Sequence, residues 1–284
     1  MQTATNLMPS ILDTATEIYV FVDDYLKTHP QIAHWRASNN DQPIFTDAEV
    51  LTIGLLQGAL GVATLKKTYQ MIHDNIKMAF PNLCSYAQWL NRLHALTALV
   101  GHLIEIVFRQ MPLLDHLYLI DSKPIPLCKP IRHGRVRLLR EDGAYFGKTS
   151  AGWFFGFKLH VLVHHSGAIL SAMLTPGNWD DRPAGRALGG MTNGGVVLGD
   201  EGYSGEETFD ALNEEAALLR VMPSDAGAGR TLISQLRQRI ETTLSSLWRQ
   251  FVDRVYARSW NGLWSTIKLK LLYFNLRCAG LVST

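Results

Sequence analysis

The sequence predicts a mixed α/β protein: a mixed sheet flanked by helices, preceded by an all-helical N-terminal domain. Three observations predict it. Up to residue 115, apolar residues recur at helical spacing between helix-start and turn signals. From residue 116, short apolar and β-branched runs follow one another with turn signals between them. From Gly195 onward such runs alternate with helical patterns, as in βα units. A chain of 284 residues suits one large or two modest domains, and the boundary is placed at 112/113.

In the first domain, residues 1–112, Ile11–Leu26 reads as a helix ending at Thr28-His-Pro30. Thr46-Asp-Ala-Glu49 is a capping box: the Thr46 side chain takes a first-turn N–H while Glu49 reaches back to the cap. The apolar run Val50–Leu60 follows it. Lys66–Met78 and Tyr86–Gln110 complete the domain, with Pro81-Asn-Leu83 between them. This set is compatible with a helix-turn-helix, without a distinct recognition helix, and equally with a structural cap. In the second domain, residues 113–284, the strands His116–Ile120, Phe154–His165 and Ala168–Thr175 form a meander. A short helix over Asp181–Met191 leads to a buried strand, Gly195–Gly199. Gly205–Glu215 reads as helix, Leu218–Pro223 as strand and Ser224–Gly229 as loop. Ile233, Leu236, Ile240, Leu244, Leu247 and Phe251 form the apolar stripe of a long amphipathic helix over Thr231–Val252. Gly262–Ala279 is a last apolar helix.

A hydrophobic content of 47% supplies a real core and excludes intrinsic disorder. The three cysteines are far apart and include no C-x-x-C, which argues against a zinc ribbon or a thioredoxin-like motif and suits a reducing cytoplasm. The segment Met1–Asn6 lacks the pattern of a signal peptide. Leu93–Phe108, the most apolar stretch, is broken by His94, Gly101, His102 and Glu105, so no membrane partner is expected. Net charge is +2, unevenly spread. Residues 123–158 hold eight bases (Lys123, Lys129, Arg132, Arg135, Arg137, Arg140, Lys148, Lys158) against Glu141 and Asp142. Such a stripe is the footprint of a phosphate backbone, or of a solvated basic loop.

Two aspartates follow apolar strands: Leu119-Ile-Asp121 and Leu198-Gly-Asp200. The strand ends of an α/β sheet are where ligands bind. Magnesium takes oxygen donors, so carboxylates at such an edge suit it. A third carboxylate is needed to hold two ions about 4 Å apart. Glu241 on the long helix offers it, and Arg237, four residues earlier, shares its face and could reach a phosphate. Taken singly, each has a plainer reading: a turn former or cap for the aspartates, an ion pair with Arg237 for Glu241.

The ordered set of motifs resembles the ribonuclease H-like core of the DDE transposases of bacterial insertion sequences, most closely the insertion sequence 982 family. The residues that carry the resemblance are Tyr118-Leu-Ile-Asp-Ser-Lys-Pro124, Gly156-Phe-Lys-Leu-His160, Leu174-Thr-Pro-Gly-Asn-Trp-Asp-Asp181, Leu198-Gly-Asp-Glu-Gly-Tyr203, Arg239-Ile-Glu241-Thr and Leu271-Leu-Tyr-Phe-Asn-Leu276. Phe80-Pro-Asn-Leu83 and Ser85-Tyr86 extend it into the helical part. The resemblance implies a catalytic, metal-binding triad of Asp121, Asp200 and Glu241 with two Mg²⁺ (or Mn²⁺) ions. It implies binding to terminal inverted repeats, cleavage at the element ends and joining to target DNA. It also implies a homodimer on paired ends and a cytoplasmic, nucleoid-associated bacterial protein. Related enzymes carry a Tyr, Arg, Glu, Lys signature around the glutamate; Arg237 fits it, whereas Ser234 and Trp248 stand in the Tyr and Lys places.

Around this core, Lys123, Arg132, Arg135, Arg137, Lys158, Asn178, Arg237 and Arg239 are the candidate DNA contacts. Asp180 and Asp181 are rivals for metal, with helix capping as their simpler role. Trp153 and Trp179 suit core packing or base stacking. His164-His165 reads as a surface turn, since no third ligand lies at a suitable spacing. The competing functions are a ribonuclease H-like nuclease that only hydrolyses and a catalytically silent, transposase-derived DNA-binding protein.

Overall fold

The computed structural model describes residues 7–32, 43–113, 115–135, 137–149, 152–192, 194–203, 205, 217–221, 235, 238, 241–247 and 256–283. The chain divides into two compact units, Met1–Val107 with Arg249–Thr284, and Phe108–Trp248.

The first unit is helical: α1 (Leu7–Thr28), α2 (Asp47–Leu60), α3 (Leu65–Asn75), α4 (Tyr86–Ala95), α5 (Thr97–Gln110, whose last turn passes into the second unit) and, from the far end of the chain, a helix at Trp260–Cys278. The capping box at Thr46 forms as the sequence predicts: the Thr46 N–H donates to Glu49 Oε2 at 2.6 Å and the Glu49 N–H to Thr46 Oγ1 at 3.2 Å. Helix α2 buries Ala48 and every residue from Val50 to Gln57, so it is the axis of the unit and is apolar all round. It ends at Gly61 (φ 60°) and meets α3 at 101°. Among the described residues no single helix is long and apolar enough to cross a membrane.

On sequence grounds the last helix belongs with residues 113–284. The structure instead places Trp260–Cys278 in the helical unit, against α2. The cause is its composition: Leu263, Ile267, Leu269, Leu271, Leu272 and Leu276 are all buried, so the helix needs cover on several sides. Gly58 of α2 lets it approach, since a Cβ there would lie 2.3 Å from the Tyr273 ring.

The second unit is a six-stranded mixed sheet: β1 (Leu117–Cys128), β2 (Tyr145–Thr149), β3 (Gly152–His164), β4 (Ile169–Pro176), β5 (Gly195–Gly199) and β6 (Ala217–Val221). The order is β2-β3-β1-β5-β6, with β4 also paired to β3. β1 is antiparallel to β3 and parallel to β5, and β5 is parallel to β6. This is a ribonuclease H-like arrangement, with helices flanking a mixed sheet. Helix α6 (Arg182–Gly189) follows β4. Residues 241–247 are helical (α7), as are Gln235 and Gln238, within the span predicted for the long amphipathic helix. α7 buries Leu244 and Leu247 of the expected stripe. Phe108, Tyr118, Ile120, Leu162, Leu170, Leu188, Val197 and Tyr203 form one core cluster. The predicted helix Gly205–Glu215 lies outside the described residues but for its first.

Two details differ from the sequence reading. β1 runs on to Cys128 instead of stopping at Ile120, so Asp121 lies within a strand. Pro124 and Pro126 look like breakers, yet β5 pairs β1 only as far as Leu119. Beyond that point no described strand pairs with that edge of β1, and proline is tolerated on an unpaired edge. The short strand β2 was not expected; it pairs with the first residues of β3.

Candidate active site

Register brings the two aspartates together. Leu119 of β1 pairs with Leu198 of β5, and each is followed two residues later by an aspartate, Asp121 and Asp200. In a parallel pair those positions are neighbours at one end of the sheet. Asp121 Oδ1 accepts the Ser122 N–H at 2.7 Å, and Asp200 Oδ1 accepts the Gly202 N–H at 3.0 Å. Burial pushes the Asp121 carboxyl up to about 6; the charges of Asp200 and Asp181 add to this, while the Ser122 N–H and Lys123 oppose it. Asp200 is exposed.

The turn between β4 and α6 adds a third carboxylate. Asp181 occupies the N-cap of α6 but makes no side-chain cap hydrogen bond, so capping is not its role. Its carboxylate instead takes the Lys158 ammonium, which also donates to the Trp179 carbonyl. A Cβ on Gly202 would lie 3.1 Å from Asp200 Oδ1 and 3.3 Å from Asp181 Oδ2, so both carboxylates face one small space that glycine leaves open. Asp180 differs: it is committed to its own turn through Arg182, and this holds its carboxyl down at about 2.

Beneath the acids lies a closed polar floor. His160 is fully buried between the Tyr203 hydroxyl and Thr175 Oγ1, each at 2.9 Å. Burial lowers the His160 ring to about 4, so it is neutral, and its Nε2 lies 3.9 Å from Asp181. Tyr203 is also fully buried and hydrogen-bonds Ser122. Burial, then the charges of Asp181, Asp121 and Asp200, raise its hydroxyl far above the ordinary value. Local sequence pattern does not show that His160 and Thr175 close this floor with Tyr203.

Glu241 is exposed on α7. Its neighbours Thr242 and Thr243, with Gln235 and Gln238, line a cleft of about 410 Å³ against His165 and Ser166, at the β3–β4 turn. That turn lies beside Leu117, the first residue of β1, whereas Asp121 lies farther along the strand. The charges that act most on Asp121 are Asp200, Lys123 and Asp181. Asp121 and Asp200 are therefore brought together, and Asp181 joins them. Among the described residues no hydrogen bond or ion pair links Glu241 to either aspartate. Arg237 and Arg239 lie outside the described residues.

Of the other candidate DNA contacts, Arg132, Arg135 and Arg137 are exposed on the segment after β1, and Asn178 is exposed on the turn after β4. Lys123 is half-buried beside Asp121. Lys158 is tied to Asp181. Trp153 and Trp179 are 62% and 54% exposed, which overturns core packing for both.

A separate cluster sits at the start of β1. His164 Nε2 lies 2.9 Å from Asp115 Oδ1 and His165 Nε2 2.7 Å from Asp115 Oδ2. The ligand atoms of these three residues lie within 4.8 Å of one another, close enough to hold a metal ion. The third ligand missing from the local spacing comes from about fifty residues earlier, across the antiparallel pair. The cluster is also complete without metal. The Ser166 N–H donates to His164 Nδ1 at 3.2 Å, which leaves the ring proton on Nε2, facing Asp115. Burial would raise the Asp115 carboxyl, yet hydrogen bonds from His165, the Leu117 amide and His164 hold it below its ordinary value.

A protein-family model described as "Transposase DDE domain" matches residues 113–255. No curated protein and no solved structure matches the chain.

Proposed function

The chain belongs to the transposase DDE domain family, and from that premise we propose that it is a DNA transposase that cuts the ends of its element and joins them to target DNA. The observation that carries the reading is the placement of Asp121 and Asp200, each two residues past the paired Leu119 and Leu198 of neighbouring parallel strands, beside a buried polar floor. The donor set suits a hard divalent cation: it is all oxygen, and Gly202 leaves space open between carboxylates.

Asp121, Asp200 and Glu241 are the residues assigned to hold Mg²⁺ (or Mn²⁺), as two ions that would activate the attacking oxygen and stabilise the leaving one. Glu241 completes the set from α7 when DNA is bound. The Ser122 and Gly202 amides orient the two aspartates. The neutral His160–Tyr203 floor fixes Ser122 without adding charge. Hydrolysis at the element end frees a 3′-OH, which then attacks target DNA in line; no covalent enzyme intermediate is needed.

Arg132, Arg135 and Arg137, with Lys123, Asn178, Arg237 and Arg239, grip the phosphate backbone, so affinity falls steeply with salt. The helical unit reads the inverted repeats. Its 101° angle between α2 and α3 falls in the helix-turn-helix range. α3 exposes Lys66, Lys67, Gln70, His73, Asp74 and Asn75, a polar face that supports its assignment as the recognition helix. The protein works as a homodimer on paired ends in a bacterial cytoplasm, at the nucleoid, and falls in the insertion sequence 982 family.

The test is cleavage and joining of DNA carrying the element's own ends, with Mg²⁺. Joined donor–target products are expected. Cleavage without joining makes the protein a hydrolytic nuclease, and binding without cleavage makes it a silent DNA-binding relative.

A further inference from the structure

We propose that Asp181 is a working carboxylate of the metal centre, held in position by Lys158. The proposal rests on the metal-dependent reading above but adds a ligand that the pattern of two aspartates and a glutamate does not contain.

Four observations carry it. First, Asp181 reaches the site by topology: it follows the turn after β4, and its carboxylate lies 3.9 Å from His160, whose partner across the sheet is Ser122, next to Asp121. Second, local structure does not use its carboxylate. An N-cap aspartate ordinarily accepts a first-turn N–H, and Asp181 does not. Its neighbour Asp180 shows the contrast, with both oxygens taken by Arg182. Third, Gly202 lies between Asp181 Oδ2 and Asp200 Oδ1, where even a methyl group would crowd them. Fourth, the partner Asp181 does have is a cation. Lys158 reaches it from β3 and is anchored on the Trp179 carbonyl. The Asp181 and Asp200 carboxylates therefore face one open space, and an ammonium at its margin engages Asp181.

Lys158 was expected to touch phosphate. Its place beside Asp181 gives it a different duty, which is to aim one carboxylate oxygen and leave the other, Oδ2, toward Gly202 and Asp200.

The test uses Mn²⁺ binding followed by electron paramagnetic resonance, with no DNA present. It is run on full-length protein carrying Asp115→Ala, so that the histidine cluster cannot contribute. Adding Asp181→Asn should weaken Mn²⁺ binding by more than about tenfold, the scale of losing a group that touches or supports a metal. Asp180→Asn should leave it unchanged. Melting in EDTA shows that each variant is folded. A second readout needs no change at Asp181: Fe²⁺ with ascorbate and peroxide should cut the backbone near residues 121, 181 and 200, and excess Mg²⁺ should suppress the cuts. Unchanged Mn²⁺ affinity in Asp181→Asn overturns the proposal and leaves the Asp121–Asp200 centre standing. Cuts at 121 and 200 with none at 181 do the same. If the parent protein binds no Mn²⁺, the metal centre itself falls and this proposal falls with it.

Discussion

Two aspartates stand near the start of β1, Asp115 just before it and Asp121 within it, and their surroundings are built in opposite ways. At the N-terminal end, Asp115 spends both oxygens on His164 and His165, and the Leu117 amide completes the set. Farther along the chain, Asp121, Asp181 and Asp200 gather with Lys158 on Asp181 and a backbone amide on each of the other two, and burial works against the charge of Asp121. A carboxylate with a full set of donors stabilises a fold. Carboxylates that gather without one are poorly placed unless something positive joins them. The comparison teaches that acidic character at a strand end is uninformative by itself; the completeness of its partners separates scaffold from site.

The comparison can be broken or sharpened in several ways. The largest effect is expected at the acidic cluster. Glu241→Gln should reduce cleavage and joining by at least about 10³-fold while DNA binding, followed by gel shift, is retained. Activity equal to wild type would remove Glu241 from the centre and leave Asp181 as the third carboxylate.

The next effect concerns pH. Burial depresses the rings of His160, to about 4, and of His164 in the folded state. Below the ordinary histidine value the unfolded chain then binds more protons than the folded one. The stability carried by these neutral rings is present above pH 6.5 and is lost as pH falls toward 4. The raised Asp121 carboxyl takes up a proton over the same window and opposes this trend, so the melts are made on Asp121→Asn: between pH 7 and pH 5 its stability toward urea should fall, and a rise would mean that the rings are charged in the fold.

At the histidine cluster, Asp115→Ala should cost about 1 kcal/mol, because buried His164 loses a partner while half-exposed Asp115 was already screened. A thermal melt measures it, and a loss of several times that size would point to a bound metal in place of a hydrogen-bond hub. The smallest effect is expected at the basic segment. Arg135→Ala should weaken DNA binding several-fold and reduce the salt slope by about one, read by titration at several salt concentrations.

Part of this was legible in the sequence for physical reasons. The capping box at Thr46 is local, so four residues suffice to place it. The stripe of Leu244 and Leu247 follows from helical period, and the strands around Asp121 and Asp200 from apolar runs. What escaped was set by tertiary partners. Nothing local shows that β1 runs on along β3 past its apolar run, so the sequence places the end of that strand at Ile120. Asp181 looked like a cap because the sequence cannot show Lys158 arriving from another strand. Asp115 and the histidines are about fifty residues apart and meet only through the β1–β3 register. The last helix was assigned to the wrong unit, since its apolar faces say that it needs cover but not by what.

The most direct test compares the two clusters in one assay. Strand cleavage on DNA bearing the element's ends, with Mg²⁺, is measured for wild type, Asp200→Asn and Asp115→Ala, with DNA binding and folding checked for each. The account predicts that Asp200→Asn abolishes cleavage and keeps binding, while Asp115→Ala cleaves like wild type at a temperature where it is folded. Cleavage that survives Asp200→Asn, or that disappears in folded Asp115→Ala, would contradict it and move the chemistry to the histidine cluster.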